Sequence, residues 1–486
     1  KGSGLAANGT NSTWTVGDVT GTGDSASSVA ANGSSTLKAG SIENVGSVTT
    51  QANATIKAES ITDVGTVASN GGTIQVTNEL SSEGLSTDGG SIQAEGITVS
   101  GKQAISLDGG SLTSTGGAIS LAGKTDITEA SGTLTAQNGD TEKGDITIDA
   151  PIATKESGTL NVTAANDVTL DSLTASKGST VNVSATEGSL TLKDALEAKD
   201  TAKVSLDAAT GSITTETPIP ATGATVAITA KETAELGSLS ADGTKASLSV
   251  TAAEVTADTV AAIDGSVRLS ADGNVAVESI AASGETSNVS IQSDSGTVSV
   301  TDTIAAENGA TVHVQAKDGD IALNEAVTGT DGATVQVQAT GDITLQEAVT
   351  GTGGTVSISA EKGSITANSN ITDAASVSAD AGNITVQGTI SSGEIVAEKG
   401  DITAKSADGE AQNVTATNIS APQGTVTAAD VVVSNAQNSS AAPTLAAQNV
   451  TAKSLNVAGS SNQPAQLQVS GEVKSEGAVS LSNTEG

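Results

Sequence analysis

Arg268 is the only arginine and His313 the only histidine in a chain of 486 residues. A guanidinium neutralises carboxylates and an imidazole moves protons near neutral pH. Together they are parts that a polysaccharide lyase or hydrolase needs, where a basic residue neutralises a uronate and another abstracts a proton. Each follows an apolar residue in an alternating run, Val267-Arg-Leu269 and Val312-His-Val314, so both should point outward from a strand. The repeat described below sets them two turns apart, about 10 Å at the usual strand spacing. Acid–base catalysis needs groups that converge on one reacting atom, so both read as surface residues and no enzyme is expected. The 55 acidic residues could supply the carboxylate pair of an inverting hydrolase, but no pair stands out. Without cysteine there is no thiolate nucleophile or zinc–thiolate cluster. Gly351-Thr-Gly-Gly354 reads as a bend rather than a phosphate cradle.

Carboxylates make a second pattern. Asp171, Asp194, Asp258, Glu278, Asp302, Glu325 and Glu347 each stand two residues before a recurring apolar position. In a stacked repeat Glu278, Asp302, Glu325 and Glu347 would form one ladder with about 5 Å between neighbours. Ca²⁺ bridging such a ladder is one expectation, since carboxylates are its preferred ligands. A solvated acidic edge is the other, and the composition favours it. A threonine column, Thr344, Thr366, Thr385 and Thr403, with Thr147, Thr169, Thr191 and Thr214 upstream, raises ice binding as an alternative. The positions two before it, Asp342, Ser364, Asn383 and Asp401, fit Asx-type turn chemistry better than a second threonine rank.

The elements that would position these residues follow from composition and repetition. Phe, Tyr, Cys and Met are absent, Trp14 is the single aromatic residue and Gly contributes 55 residues. The core must therefore come from Val, Ile, Leu and Ala, and with Thr and Ser these suit pleated surfaces. No run approaches the ~18 apolar residues of a membrane span. The net charge of −35 opposes binding to nucleic acid and to anionic membranes. A chain beginning at Lys1 reads as a product of processing or excision, and the lack of cysteine fits export through an oxidising envelope.

Thr311-Val-His-Val-Gln-Ala316, Thr334-Val-Gln-Val-Gln-Ala339 and Thr355-Val-Ser-Ile-Ser-Ala360 are copies of one strand. Each is followed by Gly and a second alternating run, such as Gly341-Asp-Ile-Thr-Leu345, and then by a shorter apolar touch. Three columns result: Val312, Val335 and Val356; Ile321, Ile343 and Ile365; Val327, Val349 and Ile371. Along the chain their members recur every 18 to 24 residues and shift together, as in Val181, Val204, Val226 and Leu248. Three strands per turn joined by Gly/Asp/Asn bends predict an all-β, right-handed parallel β-helix, a single elongated solenoid whose stacked turns supply the core. At about 22 residues per turn the rod would be on the order of 100 Å long. Residues 46–404 carry the clear repeats. Residues 1–45 read as an N-terminal cap or irregular first turns, with Trp14 as the plug, and 405–486 as looser C-terminal turns.

The recurring Gly-[Asp/Ser/Asn]-Ile-Thr, as in Gly382-Asn-Ile-Thr385 and Gly400-Asp-Ile-Thr403, resembles the repeats of filamentous-haemagglutinin-like adhesins and autotransporter passenger domains. The resemblance implies a secreted, cell-surface exoprotein used for adhesion, aggregation or coating. Asn-Pro-Asn, the secretion motif of the two-partner family, is absent. The function expected is a structural or adhesive rod, with itself (as filament or lateral assembly), a host or neighbouring cell surface, or glycans as partners. A carbohydrate-active β-helix enzyme and an ice-binding solenoid are the alternatives.

Overall fold

The computed structural model describes residues 4–22, 27–123, 126–139, 142–434, 442–460 and 463–484. Among the described residues all regular structure is β-strand, and the strands pair in parallel. The chain forms a parallel β-helix with three strands per coil. It divides into two compact units, Lys1–Gly237 with Lys245–Ala252, and Ser238–Thr244 with Ala253–Gly486.

In the second unit the first sheet stacks Val312 on Val335 and Val335 on Val356. The second sheet stacks Ile321, Ile343 and Ile365, and the third Val327, Val349 and Ile371. All nine side chains are buried. Each long strand alternates inward aliphatic with outward polar residues, and the pleat sends the two sets to opposite faces. Backbone N–H and C=O groups pair with the coils before and after, as in Thr311 N to Ser287 O at 2.9 Å. No coil could bury its inward face alone, so stability resides in the stacking.

The first unit repeats this plan. Val181 stacks on Val204 and Val204 on Val226. Its early residues are already coiled, with Gly4–Ala7 paired to Ser28–Ala31 and Thr13–Thr15 to Thr36–Lys38. Trp14 stands in an inward column on Leu37 and remains 46% exposed. Leu112 and Leu134 lead to Val162, the middle inward residue of its strand.

The chain from 405 onward keeps the same coil order, but its corners are drawn into continuous strands. Val414–Ser434 and Thr444–Ser460 are single long strands that pair with each other, with one register shift between Ala421 and Thr425. The following strands, Gln466–Val469, Val473–Ser475 and Val479–Thr484, pair back onto Thr444–Ser460, and Val479 and Leu481 are more than half exposed.

Candidate functional site

Two corners and one face of the second unit carry its repeated chemistry. The corner before the second sheet holds a glycine followed by Asp, Asn or Ser. Side-chain oxygens here accept backbone N–H groups from the next coil. Asp342 N donates to Asp320 Oδ1 at 2.7 Å, Ser364 N to Asp342 Oδ1 at 2.7 Å, Asn383 N to Ser364 Oγ at 3.1 Å and Asp401 N to Asn383 Oδ1 at 2.8 Å. The first unit does the same with Asp167 N to Asp145 Oδ1 and Ser189 N to Asp167 Oδ1. The turn chemistry expected at these positions is present, but it joins coil to coil. The preceding glycines have no room for a side chain: a Cβ on Gly382 would collide with the carbonyl oxygen of Gly363, and one on Gly400 with that of Gly382.

The corner before the third sheet holds the acidic ladder. Ile280, Ile304, Val327 and Val349 stack in register, which lines up Glu278, Asp302, Glu325 and Glu347. All four are exposed. Among the described residues, those of this ladder included, no three His, Asp or Glu side chains group closely enough to hold a metal ion. Each coil contributes one solvated carboxylate to it, so the expected calcium bridge lacks a converging ligand set.

The outward threonines of the second sheet form unbroken ranks. Thr344, Thr366, Thr385, Thr403, Thr427 and Thr451 stack in the second unit, and Thr147, Thr169, Thr191 and Thr214 in the first. The strands carrying Thr169, Thr191, Thr214, Thr344 and Thr366 are three residues long and offer one outward position each. Where the strand is longer, the second outward place beside Thr385 and Thr403 is taken by Gln387 and Lys405, so no second threonine rank forms there. Two residues before Thr344, Thr366, Thr385 and Thr403 stand Asp342, Ser364, Asn383 and Asp401, the acceptors already engaged at the glycine corner.

The first sheet of the second unit presents a different surface. Five consecutive strands of it, Ser266–Ala271, Asn288–Ser293, Thr311–Ala316, Thr334–Ala339 and Thr355–Ala360, contain no Asp or Glu, despite the net charge of −35. The column of Gln336 and Ser357 then passes through Ser376 to the exposed Glu394. Arg268 pairs in register with Ser290, and Ser290 with His313. Both lie on this one outward column, two coils apart, with the short serine between them. Gln292 and Gln315 occupy the next outward column of the same coils. Arg268 is exposed; its Nη2 donates a long 3.5 Å hydrogen bond to Gln292 Oε1. His313 is half-buried, and burial first, then the Arg268 charge, pushes its pKa below the ordinary 6.5. Both causes favour the neutral imidazole. Asp294, at the end of the neighbouring strand, is held below its ordinary value chiefly by hydrogen bonds from Lys317, at 2.8 Å, and Gln292.

No known family model, curated protein or solved structure matches this chain. The solenoid architecture by itself does not assign it to the haemagglutinin-like or autotransporter exoproteins.

The first unit holds a feature absent from the sequence expectations. The chain described at 137–139 and 142–145 bends between Gly132–Ala136 and Ile146–Asp149, whereas only 165–167 separate the equivalent strands of the next coil. It borders an open polar cavity of about 950 Å³ lined by Asn78, Glu79, Glu95, Gly116, Asn138 and Glu142 among others. Asn138 pins the bend, accepting from Gly144 N at 2.8 Å and donating to Glu187 Oε2 at 3.1 Å. The signal in the sequence is spacing: Ile119 and Ile146 are register partners 27 residues apart (146 − 119), beyond the 18 to 24 of the regular columns.

Proposed function

We propose that this chain is a secreted structural and adhesive protein of a microbial surface, serving as stalk, fibre or adhesin passenger and presenting repeated polar faces to a partner. One observation carries the proposal. On the first sheet of the second unit and along the threonine rank of its second sheet, outward hydroxyl and amide side chains repeat in register over several coils. Adhesion profits from such arrays, because many weak contacts held on one scaffold sum to an avidity none has alone. Stacking without a conventional globular core also lets such a scaffold grow by adding coils. The Gly-[Asp/Ser/Asn]-Ile-Thr repeats support the same reading through their resemblance to haemagglutinin-like exoproteins. Neighbouring cells, glycans and further copies of the chain are the partners proposed.

Beads coated with the full chain test the function directly. They should adhere to microbial or host cells well above albumin-coated beads, and electron microscopy of the coated and free protein should show fibres or surface layers. Adherence at the albumin level, together with dispersed single particles, would sink the proposal.

A further inference from the structure

The first-sheet face of the second unit combines three properties found together around Ser290. Five consecutive strands of it are free of carboxylates, and the first acid in the Arg268 column beyond them is Glu394. The only arginine and the only histidine of the chain flank one short side chain in a single column. The adjoining column supplies the amides of Gln292 and Gln315. At about 4.8 Å per coil, Arg268 and His313 rise from backbone positions about 10 Å apart, with a notch over Ser290 between them. The notch is lined by the guanidinium fork, the serine hydroxyl and an imidazole N–H. It is bordered by the amides of Gln292 and Gln315, whose Nε2 groups each already donate one hydrogen bond, to Asp294 Oδ1 at 2.8 Å and to Gln338 Oε1 at 3.3 Å. Arg268 makes no ion pair among the described residues; the nearby Asp294, which its charge helps to hold ionised, is paired with Lys317 at 2.8 Å. A guanidinium with spare donors beside a hydroxyl and amides is matched to a planar or tetrahedral oxyanion.

Beyond His313 the two columns continue with Gln336 and Gln338, then Ser357 and Ser359. These side chains offer hydrogen bonds to a hydroxyl-rich ligand and no negative charge to repel it. We propose that the notch over Ser290, between Arg268 and His313, anchors an anionic group (carboxylate or sulfate) of an acidic polysaccharide whose sugar chain runs along the Gln336 and Gln338 side of the face. The site deepens the adhesive function proposed above and rests on it, by naming the class of glycan held.

The full chain, immobilised on a sensor, is presented with polygalacturonate, dextran sulfate and uncharged dextran. Binding to one or both charged polymers and not to dextran is expected, and the two charged arms tell a carboxylate from a sulfate. Arg268→Ala should weaken that binding about tenfold, the scale of a lost charge-assisted fork. Ser290→Leu, which fills the notch while keeping the arginine, should weaken it comparably. Lys362→Ala removes the same unit of charge from a bend of the same unit and should change affinity less than about twofold, since a distant exposed charge is screened. Equal losses in Lys362→Ala and Arg268→Ala, or wild-type affinity in Arg268→Ala, overturn the site. A chain that still adheres to cells but binds neither charged polymer overturns the site and leaves the adhesive function standing; polymer binding without cell adherence does the reverse.

Discussion

The two corners of the second unit carry similar acids in similar repeats, yet they differ in what surrounds each carboxylate. Before the second sheet, Asp320, Asp342 and Asp401 each accept a backbone N–H from the next coil. Before the third sheet, Glu325 and Glu347 stand exposed, and the backbone N–H groups beside them, as at Gln346, bond to main-chain carbonyls. A repeated acid therefore acquires a structural role only where a donor without a main-chain partner lies within reach. Glycine makes that reach possible, because its missing Cβ lets successive coils close together at the first corner.

The largest effect should come from closing that gap. Gly382→Ala drives a Cβ into the Gly363 carbonyl and should cost about 3 kcal/mol, measured by denaturant unfolding of the full chain. An unchanged midpoint would show that the glycine stack is composition rather than necessity. Next, Asp342→Ala leaves the Ser364 N–H without its 2.7 Å acceptor and should cost about 1.5 kcal/mol, whereas Asp342→Asn keeps the acceptor oxygen and should lose far less. Equal losses in the two variants would point to charge instead.

Thr215 offers the converse case, a polar group placed where no partner exists. Its hydroxyl is buried in the first unit without a hydrogen bond, in the inward column between Leu192 and Leu236. Thr215→Val should raise stability by about 1 kcal/mol; a lower melting midpoint would imply a bound water. The smallest effect belongs to the solvated corner. Glu325→Gln should shift stability by no more than about 0.3 kcal/mol, upward and mainly at low salt, by relieving like-charge neighbours. A chelator should leave the melting midpoint of the wild-type chain where it was, and a clear fall would restore the calcium bridge.

Much of this architecture is legible in the sequence because strands of period two and glycine corners mark both the faces and the turns. Val312, Val335 and Val356 can be stacked by subtraction alone, and so can Ile343 on Ile365. The sequence is silent where the marks disappear. Val414–Ser434 passes through its corners without breaking the strand, and a register shift between Ala421 and Thr425 absorbs the bend that a glycine would otherwise announce. Axial partners are also hidden. Asp342 reads as a local turn former, and only the stacking distance reveals that the N–H it accepts belongs to Ser364. Buried serines such as Ser69 and Ser114 escape notice because they bond backbone carbonyls at corners, Gly72 O at 2.8 Å and Gly117 O at 2.7 Å. For Arg268 and His313 the shared column is legible, but the shelter that burial gives the imidazole is not.

The coil-to-coil direction of the backbone hydrogen bonds has a mechanical consequence. Tension on one end of a unit loads the bonds of its outermost coil first, so that coil should peel away while those beneath remain seated. Each peeled coil of about 22 residues releases roughly 70 Å of slack. A tether made this way lengthens in steps under shear instead of rupturing at once, and it rewinds onto an intact template when the load is removed.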